Sequence, residues 1–181
     1  MAMLGLTDIK TGRTIIHNGE PYLVLEYLHS MIGRGGAVMR TKLKNLLSGV
    51  IIDYTFTGAE KVEEAEMSKS HAQYLYREED QYQFMDTATY DQFFLTEDVL
   101  GTMTKYLVEG TEVSILNWNG RPINIEIPVK VTLTVTDAPP GLKGDTASGG
   151  DKVVTLETGL QVTTPLLVQP GARLIVNTEK G

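Results

Sequence analysis

The chain contains no cysteine. That absence removes a disulfide framework, a thiolate nucleophile and every Cys-ligated zinc or iron–sulfur site. Long apolar runs are missing as well. No segment approaches the roughly 20 residues that a membrane-spanning helix needs, so neither a transmembrane helix nor a membrane partner is expected. The opening Met1-Ala2-Met3-Leu4-Gly5-Leu6 lacks the basic region and apolar core of a secretory signal, which leaves the cytoplasm as the expected compartment. Histidine is scarce: His17, His29 and His71 lie far apart, with no carboxylate or second histidine at ligand spacing, so no metal site is expected. No Gly-x-Ser-x-Gly nucleophile elbow and no phosphate-binding Gly-x4-Gly-Lys-Ser/Thr string occurs. The inventory for catalysis is thin, and the chain reads as a non-enzymatic protein without a cofactor.

What is present describes an ordinary globular chain: 181 residues, 41% hydrophobic and 22% charged. The net charge of −7 is unevenly spread. Residues 1–52 carry a net +3, residues 53–66 a net −4, residues 67–128 a net −6, and residues 129–181 balance to zero. An acidic total argues against indiscriminate nucleic-acid binding, which needs a broad basic face to displace counterions. It leaves open the recognition of a structured RNA through a local basic patch.

The pattern is strand-rich nearly throughout. Thr14–His17 and Tyr22–Leu28 flank Asn18-Gly19, a dipeptide suited to the left-handed turn of a tight hairpin. Gly36–Lys44 alternates small or apolar residues with Arg40, Lys42 and Lys44, as a half-exposed strand does. After the turn Ser48-Gly49, Val50–Phe56 reads as another strand, and the acidic Glu60–Glu66 reads as a linker. A second unit holds an aromatic hairpin, Ala72–Tyr76 with Gln81–Asp86, a short helix at 97–100 with Thr96 as N-cap and acids in its first turn, and a hairpin around Asn119-Gly120. Tyr74, Tyr76, Tyr82 and Phe84 read as alternating core and surface of one hairpin, packing residues rather than a base-stacking platform, and Trp118 likewise reads as core. A third unit has strands at Val129–Thr136, Val153–Leu156, Leu160–Thr164 and Arg173–Val176. Three small all-β beads result, 1–65, 66–128 and 129–181, each near the lower limit for independent folding. End to end they would span on the order of 80 Å, a shape suited to reading a large partner.

Two segments could carry function. Ser30-Met31-Ile32-Gly33-Arg34-Gly35-Gly36 lies between two predicted strands, with Ile32, Gly33, Gly35 and Gly36 forming a tip loop around Arg34. Glycines remove the Cβ atoms that hold a backbone away from a partner. Arg34 is permanently cationic, with a planar donor fork suited to phosphate, and it cannot serve as a general acid or base. The bland alternative is a mobile hairpin tip with one solvated arginine. Pro139–Gly150, containing Gly144, Asp145, Thr146, Gly149 and Gly150, is a long Pro/Gly-rich loop that reads either as a functional loop or as a solvated turn. Arg40, Lys42 and Lys44 are candidate phosphate contacts.

Three stretches, taken together and in order, are specific: Ile32-Gly33-Arg34-Gly35-Gly36-Ala37 with Lys42-Leu43-Lys44-Asn45-Leu46; Asp137-Ala138-Pro139-Pro140-Gly141-Leu142-Lys143-Gly144-Asp145-Thr146; and Thr155-Leu156-Glu157-Thr158-Gly159-Leu160-Gln161-Val162 through Pro165, Leu166 and Gly171. Through them the chain resembles bacterial translation elongation factor P over essentially its whole length. The resemblance implies an L-shaped, three-domain β protein, an SH3-like (KOW-type) barrel followed by two OB-fold barrels. It implies a monomer that binds both subunits of the ribosome between the peptidyl and exit sites. The first-domain loop would reach the acceptor end of peptidyl-tRNA and relieve stalling at consecutive prolines. The Gly144-Asp145-Thr146 loop would lie toward the small subunit.

Many family members carry a modified lysine where this chain has Arg34; others carry arginine bearing rhamnose, which would require an arginine-modifying enzyme as a further partner, and some leave the arginine bare. Ile32 stands where lysine-type members often have proline, and the chain ends a few residues before the family's usual basic or aromatic end. The competing readings are the elongation-factor-P-like paralogue, disfavoured by the Gly33-Arg34-Gly35-Gly36 and Gly144-Asp145-Thr146 strings, and an OB-barrel enzyme or oligosaccharide- or nucleic-acid-binding module. An enzyme of that kind would need paired carboxylates in a pocket, and the sequence offers no candidate pair.

Overall fold

A computed structural model describes residues 2–32, 36–140 and 150–180, with the backbone alone at Ile32. Among the described residues the chain is all-β apart from one short helix and two 3-10 turns, and its strands form curled sheets. Among the described residues, no helix is long and apolar enough to cross a membrane.

The first sheet has six strands: β1 (Met3–Leu4), β2 (Thr14–His17), β3 (Glu20–Ile32), β4 (Gly36–Asn45), β5 (Ile51–Thr57) and β6 (Val62–Glu64), in the order β1-β6-β2-β3-β4-β5. The Asn18-Gly19 turn adopts φ 51° and 82°, the paired left-handed geometry that matches strand twist. Alternation along β4 turns Met39, Thr41, Leu43 and Asn45 inward and leaves Arg40, Lys42 and Lys44 outside. Met39 and Leu43 join Ile9, Ile15, Val24 and Phe56 in one apolar core.

The acidic stretch 60–66 is not a linker. Val62–Glu64 pairs with both β1 (Leu4↔Val62) and β2 (Ile15↔Glu64), Val62 is buried in the core, and Ala65 is buried beside it. The carboxylates stay toward solvent, where Glu64 accepts a 2.5 Å bond from Arg13. One well-placed valine and a free row of backbone donors outweigh the charge of the run.

The second sheet has the order β11-β10-β7-β8-β9, from β7 (Met67–Glu78), β8 (Gln81–Asp86), β9 (Gln92–Thr96), β10 (Glu112–Trp118) and β11 (Arg121–Glu126). The aromatic hairpin forms as expected: Tyr74 packs on Phe84 at 5.5 Å and Phe84 stacks on Phe93 at 5.5 Å. Tyr76 departs from that packing. The ladder slips between Tyr74 and Tyr76, which turns Tyr76 out to solvent although it stands two residues from the buried Tyr74. Helix α1 (Glu97–Leu100) begins after Thr96, which holds an extended N-cap backbone but donates and accepts no side-chain capping bond.

The third sheet, β14-β13-β12-β15, is made of β12 (Lys130–Asp137), β13 (Asp151–Leu156), β14 (Gln161–Pro165) and β15 (Arg173–Asn177). Val131, Leu133 and Val135 alternate inward along β12 and meet Val154, Leu156 and Val176. By packing, the chain divides into two compact units. One comprises Met1–Ser70, Leu95–Gly101 and Ser114–Ile125; the other comprises His71–Phe94, Thr102–Val113 and Glu126–Gly181.

Candidate functional site

The most distinctive feature of the first sheet is a hairpin arm. β3 and β4 pair continuously from Tyr22↔Asn45 to Ile32↔Gly36, with one bulge between Val24 and Glu26. Up to Val24 the strand lines the core; from Glu26 to Met31 no residue is buried. The strand runs on past Leu28, where the sequence pattern suggested it would end, because backbone pairing continues after the apolar alternation stops. β5 supports the arm as far as Val38↔Thr57. Gly36 returns the chain at φ 84°, a conformation that side chains resist. The sequence-predicted tip residues Gly33, Arg34 and Gly35 lie outside the described residues, as does the side chain of Ile32.

The outer flank of the arm is a shallow recess of about 300 Å³, lined by Glu26, Leu28, Arg40, Lys42, Asp53 and Thr55 among others. Cross-strand pairing builds it: Leu28 and Thr55 flank Arg40, and Glu26 and Asp53 flank Lys42. The three candidate phosphate contacts are therefore not equivalent. Lys42 donates to Glu26 Oε1 at 3.3 Å and faces a second carboxylate at Asp53. Arg40 and Lys44 form no ion pair among the described residues. Arg40 is exposed beside Leu28, itself 59% exposed. Sequence reasoning missed this flanking pair of acids, and it missed that Tyr27, Leu28 and Met31 stand in solvent at 45%, 59% and 83% exposure.

Among the other candidates, Gly144, Asp145, Thr146 and Gly149 lie outside the described residues. Gly150 immediately precedes β13, and its carbonyl accepts a 3.3 Å bond from Leu166 N. Lys152 donates to the Pro139 carbonyl at 3.2 Å, which ties the two ends of the β12–β13 connection. His17 is a packing residue: its ring lies 4.2 Å from that of Tyr54 and 5.6 Å from that of Tyr22.

Family sequence models match the chain in three consecutive blocks: an elongation factor P KOW-like domain over residues 6–62, an elongation factor P OB domain over 67–125, and an elongation factor P C-terminal domain over 131–181. The elongation factor P of Dictyoglomus turgidum is 46% identical over 176 residues, covering 97% of this chain and 95% of that protein. The elongation factor P of Thermotoga maritima is 45% identical over 179 residues, covering 99% and 97%. Among solved structures, a eukaryotic translation initiation factor 5A from Methanococcus jannaschii superposes with a TM-score of 0.51 at 22% identity, covering 70% of this chain and 94% of its own; that likeness is one of fold. With all three blocks in order and the identity spread over nearly the full length, this chain belongs to the elongation factor P family and is a translation elongation factor.

Proposed function

We propose that the protein binds the ribosome beside peptidyl-tRNA and promotes peptide-bond formation at consecutive prolines. It acts as a monomer of three domains, 1–65, 66–128 and 129–181, in the cytoplasm. The observation that carries this reading is the solvent-standing β3–β4 arm of a family member whose Gly33-Arg34-Gly35 segment joins the arm's two last-paired residues, Ile32 and Gly36. Proline is a poor participant in peptide transfer, and a neighbouring proline stiffens the nascent chain. A factor that holds the terminal nucleotides of the tRNA in a productive pose lowers the entropic barrier without moving a proton. Arg34, a fixed cation framed by glycines, suits that task through phosphate or ribose contacts.

Arg40 on the flank, with Lys44 nearer its base, supplies phosphate contacts along the arm. Lys42 contributes less, because Glu26 already holds it. The loop containing Gly144, Asp145, Thr146, Gly149 and Gly150 contacts the small-subunit side. Arg34 is the site that an arginine-modifying enzyme would rhamnosylate.

The test is translation of a triproline message on purified ribosomes. Wild-type protein restores synthesis and Arg34→Ala does not; equal rescue by both would remove Arg34 from the mechanism. Intact mass of native protein reports the modification, and an unshifted mass rules it out for that sample.

A further inference from the structure

The turn between β4 and β5 is built as a joint. Asn45, at 4% exposure, closes it from inside: its Oδ1 accepts from Leu47 N at 2.8 Å and Ser48 N at 3.0 Å, and its Nδ2 donates to Glu20 Oε2 at 2.6 Å. The backbone is equally committed, with Asn45 N donating to Val50 O at 2.8 Å, Gly49 N to Asn45 O at 2.9 Å, and Leu46 N to Pro21 O at 2.9 Å. Gly49 sits at φ 76° directly on helix α1, where a Cβ would overlap the Asp98 carbonyl oxygen and stand 3.1 Å from its carbon and 3.5 Å from Val99 Cα. All three obstacles are backbone atoms that no rotamer can move. Among the described glycines, Gly49 alone meets so close a neighbour.

We infer that Asn45 and Gly49 are positioning residues that fix the direction in which the arm points. β4 runs unbroken through ten residues from Gly36 to Asn45, a lever of about 30 Å at roughly 3.3 Å per residue. A tilt of about 3° at its base displaces the far end by about 1.5 Å over such a strand. A displacement of about 1 Å at a reacting centre can cost on the order of 100-fold in rate. The functional half of this inference rests on the activity proposed above; the structural half rests on the joint's own geometry.

The absence of native cysteine allows two spin labels to be placed cleanly, at Thr55→Cys on β5, paired with Arg40 of the arm, and Arg121→Cys on β11, both exposed and both in the same compact unit. Gly49→Ala is expected to shift the distance between them. In the triproline assay it should lower the maximal rate by about tenfold or more while the half-saturating concentration changes by less than about threefold, a split that separates placement from binding. A second pair of variants covers the case in which Gly49→Ala does not fold. Asn45→Asp should lower the maximal rate by setting a carboxylate against Glu20, and adding Glu20→Gln should restore it by recreating the bond with donor and acceptor exchanged.

An unchanged distance or unchanged maximal rate in folded Gly49→Ala, or failure of the exchange to restore activity, overturns the inference. A wild-type protein inactive on triproline, with the label distance still shifted by Gly49→Ala, overturns the proposed activity and leaves the joint standing.

Discussion

Lys42 and Glu26 face each other across β3 and β4 with Nζ and Oε1 3.3 Å apart, both on the flank of the arm that stands in solvent. Their side chains are 41% and 72% exposed, so the pair adds little to folding, about 0.2–1 kcal/mol at most. Its effect is on what Lys42 can offer to RNA. Glu26→Gln should leave the thermal midpoint within about 4 °C of wild type. With Asp53→Asn added to remove the second carboxylate beside Lys42, the released ammonium should steepen the salt dependence of ribosome association by just under one unit of log–log slope. Binding titrations across a series of potassium concentrations measure this, and an unchanged slope would mean that the flank does not meet phosphate.

Gly19 and Gly49 both hold left-handed backbone, at φ 82° and 76°, yet nothing lies within 4 Å of a Cβ added at Gly19. Gly19→Ala should therefore cost only the conformational penalty, about 1–2 kcal/mol. Gly49→Ala adds an overlap with fixed backbone, worth a further 1–3 kcal/mol or so by analogy with overpacked cores. Urea unfolding of the two variants gives the difference directly. Equal losses would show that α1 moves aside without resistance.

The strand Val62–Glu64 marks where pattern reading stops. Hairpins with Asn-Gly turns and the alternation in β4 and β12 were legible because both signals are local. β6 is three residues long, is surrounded by carboxylates, and owes its existence to two partners far away in sequence. Which of the hairpin aromatics faces out was not legible for a related reason, since the bulge before Tyr76 reverses the facing of every residue beyond it and leaves no mark in the sequence. At the candidate site, the glycine-framed Arg34 could be noticed from residue types alone. The acids around Lys42, and the closeness of Gly49 to Asp98, depend on cross-strand register and on an approach between segments almost fifty residues apart.

The same strand supplies a direct contrast. Val62 is 4% exposed and Glu63 beside it is partly exposed. Val62→Asp should cost about 3 kcal/mol or more by placing a carboxylate in the apolar core, whereas Glu63→Gln should stay within about 0.5 kcal/mol. Chemical denaturation followed by circular dichroism tests both. Two near-neutral variants would mean that residues 60–66 behave in solution as a linker after all.

Tyr74 offers a prediction at high pH. Burial raises the pKa of its hydroxyl above the ordinary tyrosine value of 10.0; Tyr82 and Glu109 push the same way, and Arg77 opposes them. The folded state therefore keeps the proton that the unfolded chain gives up. The associated stability is fully present below pH 10.0 and is lost as pH rises through the folded-state value. Replacing the hydroxyl by hydrogen in Tyr74→Phe removes the titrating group while keeping the ring that packs on Phe84. Unfolding free energies measured from pH 8 to 11.5 or so should fall more steeply for wild type than for Tyr74→Phe above about pH 10, and the two curves should run parallel below it. Parallel curves over the whole range would show that the ring's surroundings admit enough water to ionise the hydroxyl without penalty.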